Sequence, residues 1–439
     1  MADPHTLASP SEPVSPDGTI VIVGASLAGL RAAEELRHEH HAGPIVVVGD
    51  EPHAPYDRPP LSKQLLAGTW EVDRVHHHAP DKLDTLGIEF RLGMRVGGLD
   101  VGGRQVTLSD GSTLGFDGLV IATGARARHL PGTEGVDGVF VLRTLDDCLS
   151  LRERLDASGD APRVVVIGAG FIGAEVAATC HGRGARVTVV EALAAPLAHV
   201  LGPELGAACA GLHADNGVDV RAGTGVAGID GAGGGAGGGA GGGAGGGAGG
   251  GAGGGAPLTV TLLDGTELPA DAVVVGIGVD PATDWLEGSD LSLANGVSCD
   301  HALFAASRVV AAGDVARWYH RRLGQDLRIE HWTNAAESGP TAARNLLAGS
   351  ASATAYEPVP FFWSDQYGVK IQVVGRPDPT DEVVVVDGSI EDRRLVALYR
   401  RGDRLSAALA FSRPRQLMGY RPLLEAGASF DEALAHARG

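Results

Sequence analysis

Residues 163–191 read RVVVIGAGFIGAEVAATCHGRGARVTVVE. An apolar run at 164–167 meets Gly168, Gly170 and Gly173, spaced G-x-G-x-x-G, and a helical pattern follows. Gly182 and Gly184 interrupt that pattern before a second apolar run at 187–190, which ends on Glu191. The order predicts strand, turn, helix, strand and acid. In such a unit the first glycine permits the tight turn, the second lets backbone approach a pyrophosphate, and the third lets helix and strand pack closely. The helix N-terminus offers its unpaired N–H groups to the anion. A carboxylate at the position of Glu191 accepts ribose hydroxyls and repels a 2′-phosphate, so the expected dinucleotide is NAD(H).

The same grammar occurs near the start of the chain. Residues 19–30, TIVIVGASLAGL, carry Gly24, Ser26 and Gly29, with a small serine where a third glycine is usual. A helix over 27–38 and a strand over 44–49 lead to Asp50 and Glu51, the first and second candidates for a ribose ligand. Two such units imply an α/β protein with two Rossmann-like dinucleotide-binding domains and two nucleotides.

Composition narrows the class. A chain of 439 residues accommodates about three domains. A formal charge of −19 argues against a nucleic-acid partner, which needs a basic surface. Apolar stretches fall short of the roughly 20 residues of a membrane span. Residues 1–18 hold prolines and acids but no apolar core, so a disordered lead and a cytoplasmic protein are expected. Cys148, Cys180, Cys209 and Cys299 lie far apart and are expected to be reduced and buried.

Between and beyond the two units the chain supplies candidate contacts. PYDRPPLSK at 55–63 predicts a rigid loop presenting Arg58 and Lys63. The imidazoles of His76, His77 and His78 point in divergent directions with no partner acid at helical spacing, so no metal is expected there. Residues 86–114 read as a meander, and the strand at 118–122 ends in Thr123 and Gly124 with Arg126 and Arg128 behind. Tandem Ala-Gly-Gly-Gly units fill 231–256 and predict a disordered loop interrupting a β-hairpin. The strand at 271–278 ends on Gly276 and Gly278, and that at 307–313 ends on Asp314, where a doubly wound sheet meets its ligands. Asp314 as a simple helix cap is the alternative. Aromatic residues concentrate from His331 onward, with Trp363 in an expected Phe-Trp-Ser-Asp turn.

The motifs VGASLAG, PYDRPPLSK, ATGARAR, VIGAGFIGAE, VVE, VVVGIGV, AAGD, HWTNA and FFWSDQY run in the order and approximate spacing of a known family. The chain resembles the FAD-dependent NADH:ferredoxin reductases of the putidaredoxin reductase type, over roughly residues 19–420. The resemblance implies a discontinuous FAD domain (19–127 and 278–331), an NAD domain (128–277) and a C-terminal α+β domain (332–439). It places Gly24, Ser26, Gly29, Asp50 or Glu51, Arg58, Lys63, Thr123, Gly124, Arg128, Asp314, Trp332 and Trp363 on FAD. Gly168, Gly170, Ile172, Gly173, Glu191 and Gly278 fall on NAD. Lys63 and Glu175 are expected to pair beside the flavin N5 as the catalytic residues.

The implied activity is hydride transfer from NADH to FAD, followed by single-electron release to an iron-sulfur ferredoxin that serves a cytochrome P450 or Rieske oxygenase. Arg321, Arg322 and Arg328 are candidate docking residues, and a monomer or weak dimer is expected. Two departures stand out: the Gly/Ala block, and Ala282, where such sequences usually carry Asn. Two rivals remain open. A thiol-dependent disulfide or peroxide reductase needs a cysteine where residues 59–63 have none. An NADH-binding interaction protein like apoptosis-inducing factor shares the PPLSK motif.

Overall fold

A computed structural model describes residues 10–231 and 257–438 of the chain. Residues 1–9 of the expected lead and nearly all of the Gly/Ala block lie outside the described residues.

The first layer is built on the strand Ile20–Val23, which pairs in parallel with Ile45–Val48 and Gly118–Ile121. Glu89–Arg91 and Val309–Ala311 extend the sheet in parallel, and Phe304–Ala306 closes one edge antiparallel. Every residue of the three central strands is buried. Unbroken Val/Ile runs suit strands covered on both faces, where no side needs to be polar.

The helix Leu27–His38 leaves the first strand and packs beside the helix Trp332–Ala348. Their approach is close enough that a Cβ on Gly339 would sit 2.4 Å from the Ala28 carbonyl oxygen. Ala342, Ala343 and Leu346 join the core of the first sheet. Residues 332–348, expected to open the C-terminal domain, therefore pack with the first layer. The aromatic enrichment that suggested the boundary begins at the first residue of this helix.

The second layer repeats the plan. Arg163–Ile167 lies between Arg186–Glu191 and Ala272–Val275, all parallel, with Asp219–Ala222 and Val139–Val141 outside. An antiparallel sheet of Val226–Gly231, Leu258–Leu262 and Glu267–Ala270 packs on it through Leu258, Val260 and Leu262. Gly231 pairs with Leu258, so the Gly/Ala block does interrupt a hairpin. Ala125–Ala127 and Val279–Pro281 pair side by side where the chain leaves and re-enters the first layer.

A five-stranded antiparallel sheet forms the third layer, with Phe361–Gln366 at one edge next to Val369–Gly375. FFWSDQ, expected to turn at Phe-Trp-Ser-Asp, is instead a strand. Its side chains alternate between half-buried and buried, the period of a strand with one face on a core.

Residues 10–18 also depart from expectation. Val14 is buried against the first sheet, the Ser11 N–H donates to Ser350 Oγ at 2.8 Å, and Ser11 Oγ accepts the Arg308 N–H at 2.8 Å. One apolar side chain with a few backbone bonds suffices to dock a segment whose average composition is polar. Among the described residues no helix is long and apolar enough to cross a membrane.

Candidate active site

Both glycine turns open onto one cavity of about 1120 Å³. Ligand pockets typically span roughly 300–1,000 Å³, so this one has room for two ligands meeting end to end.

At the first turn Gly24 takes φ +118, and a Cβ there would fall 2.1 Å from the Ala122 oxygen. A Cβ on Gly29 would fall 1.9 Å from the Gly24 oxygen. At the second turn the corresponding clashes are 2.4 Å for Gly168 against Gly276 and 2.0 Å for Gly173 against Gly168. Gly170 differs: nothing lies within 4 Å of its Cβ position, so backbone faces open cavity. Ser26 and Gly170 are the N-caps of their helices, and neither helix has a side-chain cap or an acid in its first turn. The first-turn N–H groups are thus left to an anionic ligand.

The PPLSK segment supplies a largely buried cation to the cavity. Prolines 59 and 60 start a tight 3₁₀ turn, Pro59–Ser62, that ends on Lys63. Lys63 Nζ donates to Glu175 Oε2 at 2.6 Å, with side-chain exposures of 13% and 3%. Glu175 comes from the helix Phe171–Gly182 of the second layer. Ser62 Oγ donates to the same oxygen at 2.5 Å, and Ser364 Oγ and the Asp365 N–H reach Oε1 at 2.8 and 3.2 Å. A buried ion pair is tolerable when its remaining hydrogen-bonding capacity is met in this way.

The two acids after the second strand separate in role. Glu51 accepts Arg58 Nη2 at 2.6 Å and Tyr56 Oη at 2.5 Å, while the Asp50 carboxylate lines the cavity with no hydrogen-bond partner among the described residues. Arg58 reaches across the first turn, its Nε donating to Ser26 Oγ at 3.4 Å. Arg143, which no motif singled out, pairs with Asp314 Oδ2 at 2.9 Å and lines the same wall. Thr123 Oγ1 donates to the Ala282 oxygen at 2.8 Å, and the Ala282 N–H to the Gly124 oxygen at 3.0 Å. Ala282 thus meets the first domain through backbone, which any residue type provides.

Trp332 Nε1 donates to Asp57 Oδ1 at 2.5 Å and its ring meets Trp363 edge-on at 6.0 Å, both rings lining the cavity. His331 packs on Phe362, and burial pushes its imidazole down to about 4 with Nδ1 left unpartnered. Gly278 and Ile172 also line the cavity, Ile172 being 48% exposed.

Two expected residues face elsewhere. Arg128 does not line the cavity; it pairs with Asp280 on the neighbouring strand at 2.7 Å, and Arg126 takes the wall position. Arg328, expected on a docking surface, is 11% exposed and turned inward, paired with Glu330 at 2.5 Å and donating to the Asp314 carbonyl oxygen at 3.2 Å. Glu191 ends its strand as expected, and its carboxylate accepts the Ala169 N–H of the second glycine turn at 2.7 Å and the Leu193 N–H at 2.8 Å.

All four cysteines are buried and none lines the cavity. Burial pushes the thiols of Cys148, Cys180 and Cys209 up to about 12 and that of Cys299 higher still. Thiols held so far from ionisation are not nucleophiles.

Comparison with known proteins agrees with this geometry. Residues 18–339 match the pyridine nucleotide-disulphide oxidoreductase family and residues 361–438 the reductase C-terminal family. The chain is 35% identical to putidaredoxin reductase of Pseudomonas putida, over 90% of this chain and 89% of that one. It is 36% identical to the ferredoxin–NAD(+) reductase component of the anthranilate 1,2-dioxygenase system of Burkholderia cepacia, over 94% and 95%. The crystal structure of the covalent putidaredoxin reductase–putidaredoxin complex superposes with a TM-score of 0.83 at 33% identity, covering 93% of each chain. The chain belongs to the pyridine nucleotide-disulphide oxidoreductase family, in the group that carries the reductase C-terminal domain.

Proposed function

We propose that the protein is an FAD-dependent NADH:ferredoxin reductase that delivers single electrons to a ferredoxin serving a cytochrome P450 or Rieske oxygenase. The observation that carries this reading is the Lys63–Glu175 pair, seated in a cavity shared by both glycine turns and lined by no cysteine among the described residues. When bound, FAD supplies the two-electron to one-electron conversion that joins a hydride donor to an iron-sulfur acceptor.

The residues fit that cofactor. The cradle at Gly24 and Gly29 excludes any side chain, Arg58 overhangs it, and Asp50 is the free carboxylate for a ribose. Thr123, Gly124, Arg143, Asp314, Trp332 and Trp363 complete the wall on this side. Gly168, Gly170, Ile172, Gly173 and Gly278 form the NADH side, with Glu191 at the strand end selecting against a 2′-phosphate. Lys63 presents a cation to the cavity and Glu175 holds it there, so negative charge arriving on a ligand is met by a group already in place. Phe171 and Phe362, with ring centroids 4.8 Å apart, add an apolar stretch to the wall of the same cavity.

Strand membership supports an FAD domain of 19–127 and 278–348, an NAD domain of 128–277, and a third domain from 361. Arg321 and Arg322 remain candidates for docking an acidic ferredoxin. Arg321 is 54% exposed, and both meet Glu357, Arg321 through its side chain and Arg322 through its backbone N–H.

The test is anaerobic reduction of the FAD-loaded protein by NADH, followed by cytochrome c reduction with and without an added iron-sulfur ferredoxin. Bleaching by NADH and ferredoxin-dependent turnover are expected. Slow turnover in both conditions identifies a binding protein instead, and loss of activity on alkylating thiols under native conditions identifies a thiol enzyme.

A further inference from the structure

Glu175 is saturated. Its Oε2 accepts Ser62 and Lys63 from the PPLSK segment, and its Oε1 accepts the Ser364 hydroxyl and the Asp365 N–H from the strand Phe361–Gln366. Half of its donors therefore come from the third domain. That strand is the edge of its sheet, and an edge strand has N–H groups that the sheet does not use.

Behind Ser364 stands Gln366, two residues on and so on the same face of the strand. Its Nε2 donates to Ser364 Oγ at 3.1 Å, it is fully buried, and its Oε1 has no partner. The direction of the chain is dictated by chemistry. A carboxylate only accepts, so Ser364 spends its single proton on Glu175 and can only accept from the amide. A buried amide with half its capacity unmet is a net cost that an apolar side chain of the same shape avoids. What Gln366 secures is the orientation of the Ser364 hydroxyl. Trp363 and Asp365 face the other way, Trp363 toward the cavity and Asp365 toward Lys370 at 3.7 Å.

We propose that Ser364 and Gln366 are positioning residues: the edge strand of the third domain orients Glu175 through Gln366 and Ser364, and so fixes the Lys63 ammonium in the active-site cavity. This rests on the reductase reading above. Protein that NADH does not bleach before any substitution sinks that reading itself, and the variants are compared only once bleaching is established.

The experiment uses the full-length, FAD-loaded protein. It measures the single-turnover rate of bleaching by NADH and the flavin midpoint potential, with FAD content and melting temperature as controls. Ser364→Ala is expected to slow bleaching roughly tenfold, the loss of one hydrogen bond to a charged group, and to shift the potential downward. Ser364→Thr keeps the hydroxyl and is expected to match the unaltered protein. Gln366→Met keeps the shape without the donor and is expected to change both readouts in the same direction by less. In a Glu175→Gln background Ser364→Ala is expected to add nothing, since both substitutions remove one pathway. An undiminished Ser364→Ala effect in that background overturns the proposal, as does a Ser364→Ala protein with unchanged rate and potential. If Ser364→Ala sheds its FAD, Gln366→Met and Ser364→Thr decide: equal values for the two overturn the proposal.

Discussion

Gly170 and Gly173 sit three residues apart in one turn, and the structure assigns them opposite sensitivities. Gly173→Ala places a methyl 2.0 Å from the Gly168 oxygen, far inside any real Cβ contact, so helix or turn must shift. Gly170→Ala meets nothing within 4 Å, and φ −67 with ψ −179 is open to alanine. Alanine restricts the unfolded chain, a gain of about 0.4–1 kcal/mol, and is a poorer N-cap than glycine by a similar amount. The two nearly cancel, so the melting temperature of the Gly170→Ala protein should stay within a few degrees, since a shift of about 1 kcal/mol moves a large domain by about 2–4 °C.

The same methyl stands between the first-turn N–H groups and an approaching pyrophosphate. Weakening one or two hydrogen bonds to a charged group costs about 1.5–3 kcal/mol, or roughly 10- to 100-fold in Kd. Isothermal titration of the FAD-loaded protein with NAD(+), beside a thermal melt, reads both quantities. A Kd unchanged within about twofold, or a melt as depressed as that of Gly173→Ala, refutes the claim that Gly170 is glycine for the ligand and not for the fold.

Lys63→Ala strips the counter-charge from a carboxylate that keeps three donors, so the protein should fold while single-turnover reduction by NADH slows roughly 100-fold, the size of a lost electrostatic contact; an unchanged rate removes Lys63 from the reaction. Glu191→Ala should weaken NADH more than NADPH, lowering the ratio of their kcat/KM values roughly tenfold, and a native preference for NADPH contradicts the assignment. His213 and His331 are both pushed down to about 4 by burial. Their folded values lie below the ordinary value of about 6.5, so the unfolded chain binds more protons between the two. The stability they contribute is complete above about pH 6.5 and is lost as pH falls toward 4, and His213→Phe should flatten that slope in melting temperature against pH. A slope unaffected by the substitution refutes the part assigned to His213.

The glycine turns were legible because their constraint is short-range. Gly29 against the Gly24 oxygen and Gly173 against the Gly168 oxygen are contacts five residues apart that the turn itself dictates. Lys63 and Glu175 were legible only through motif resemblance, since nothing in their spacing brings together residues 112 apart. Ser62 and Ser364 stood inside the same motifs, yet the bonds that give them meaning need the third domain in place. The directions of Arg128 and Arg328 were not legible, because a charged residue near a predicted site is cationic wherever it points. Neighbouring Asp280 and Glu330, not sequence position, decided their direction.

Read alone, the chain determined two βαβ nucleotide units, their glycine cradles and a likeness to oxygenase-coupled reductases, because periodicity and backbone sterics act over a few residues. Only the tertiary structure decided which of two adjacent acids stays free, which arginines line the cavity, and that an edge strand of the third domain completes the shell around Glu175. Those outcomes depend on which groups meet across domains, and a buried charge is settled by its partners, not by its neighbours in sequence.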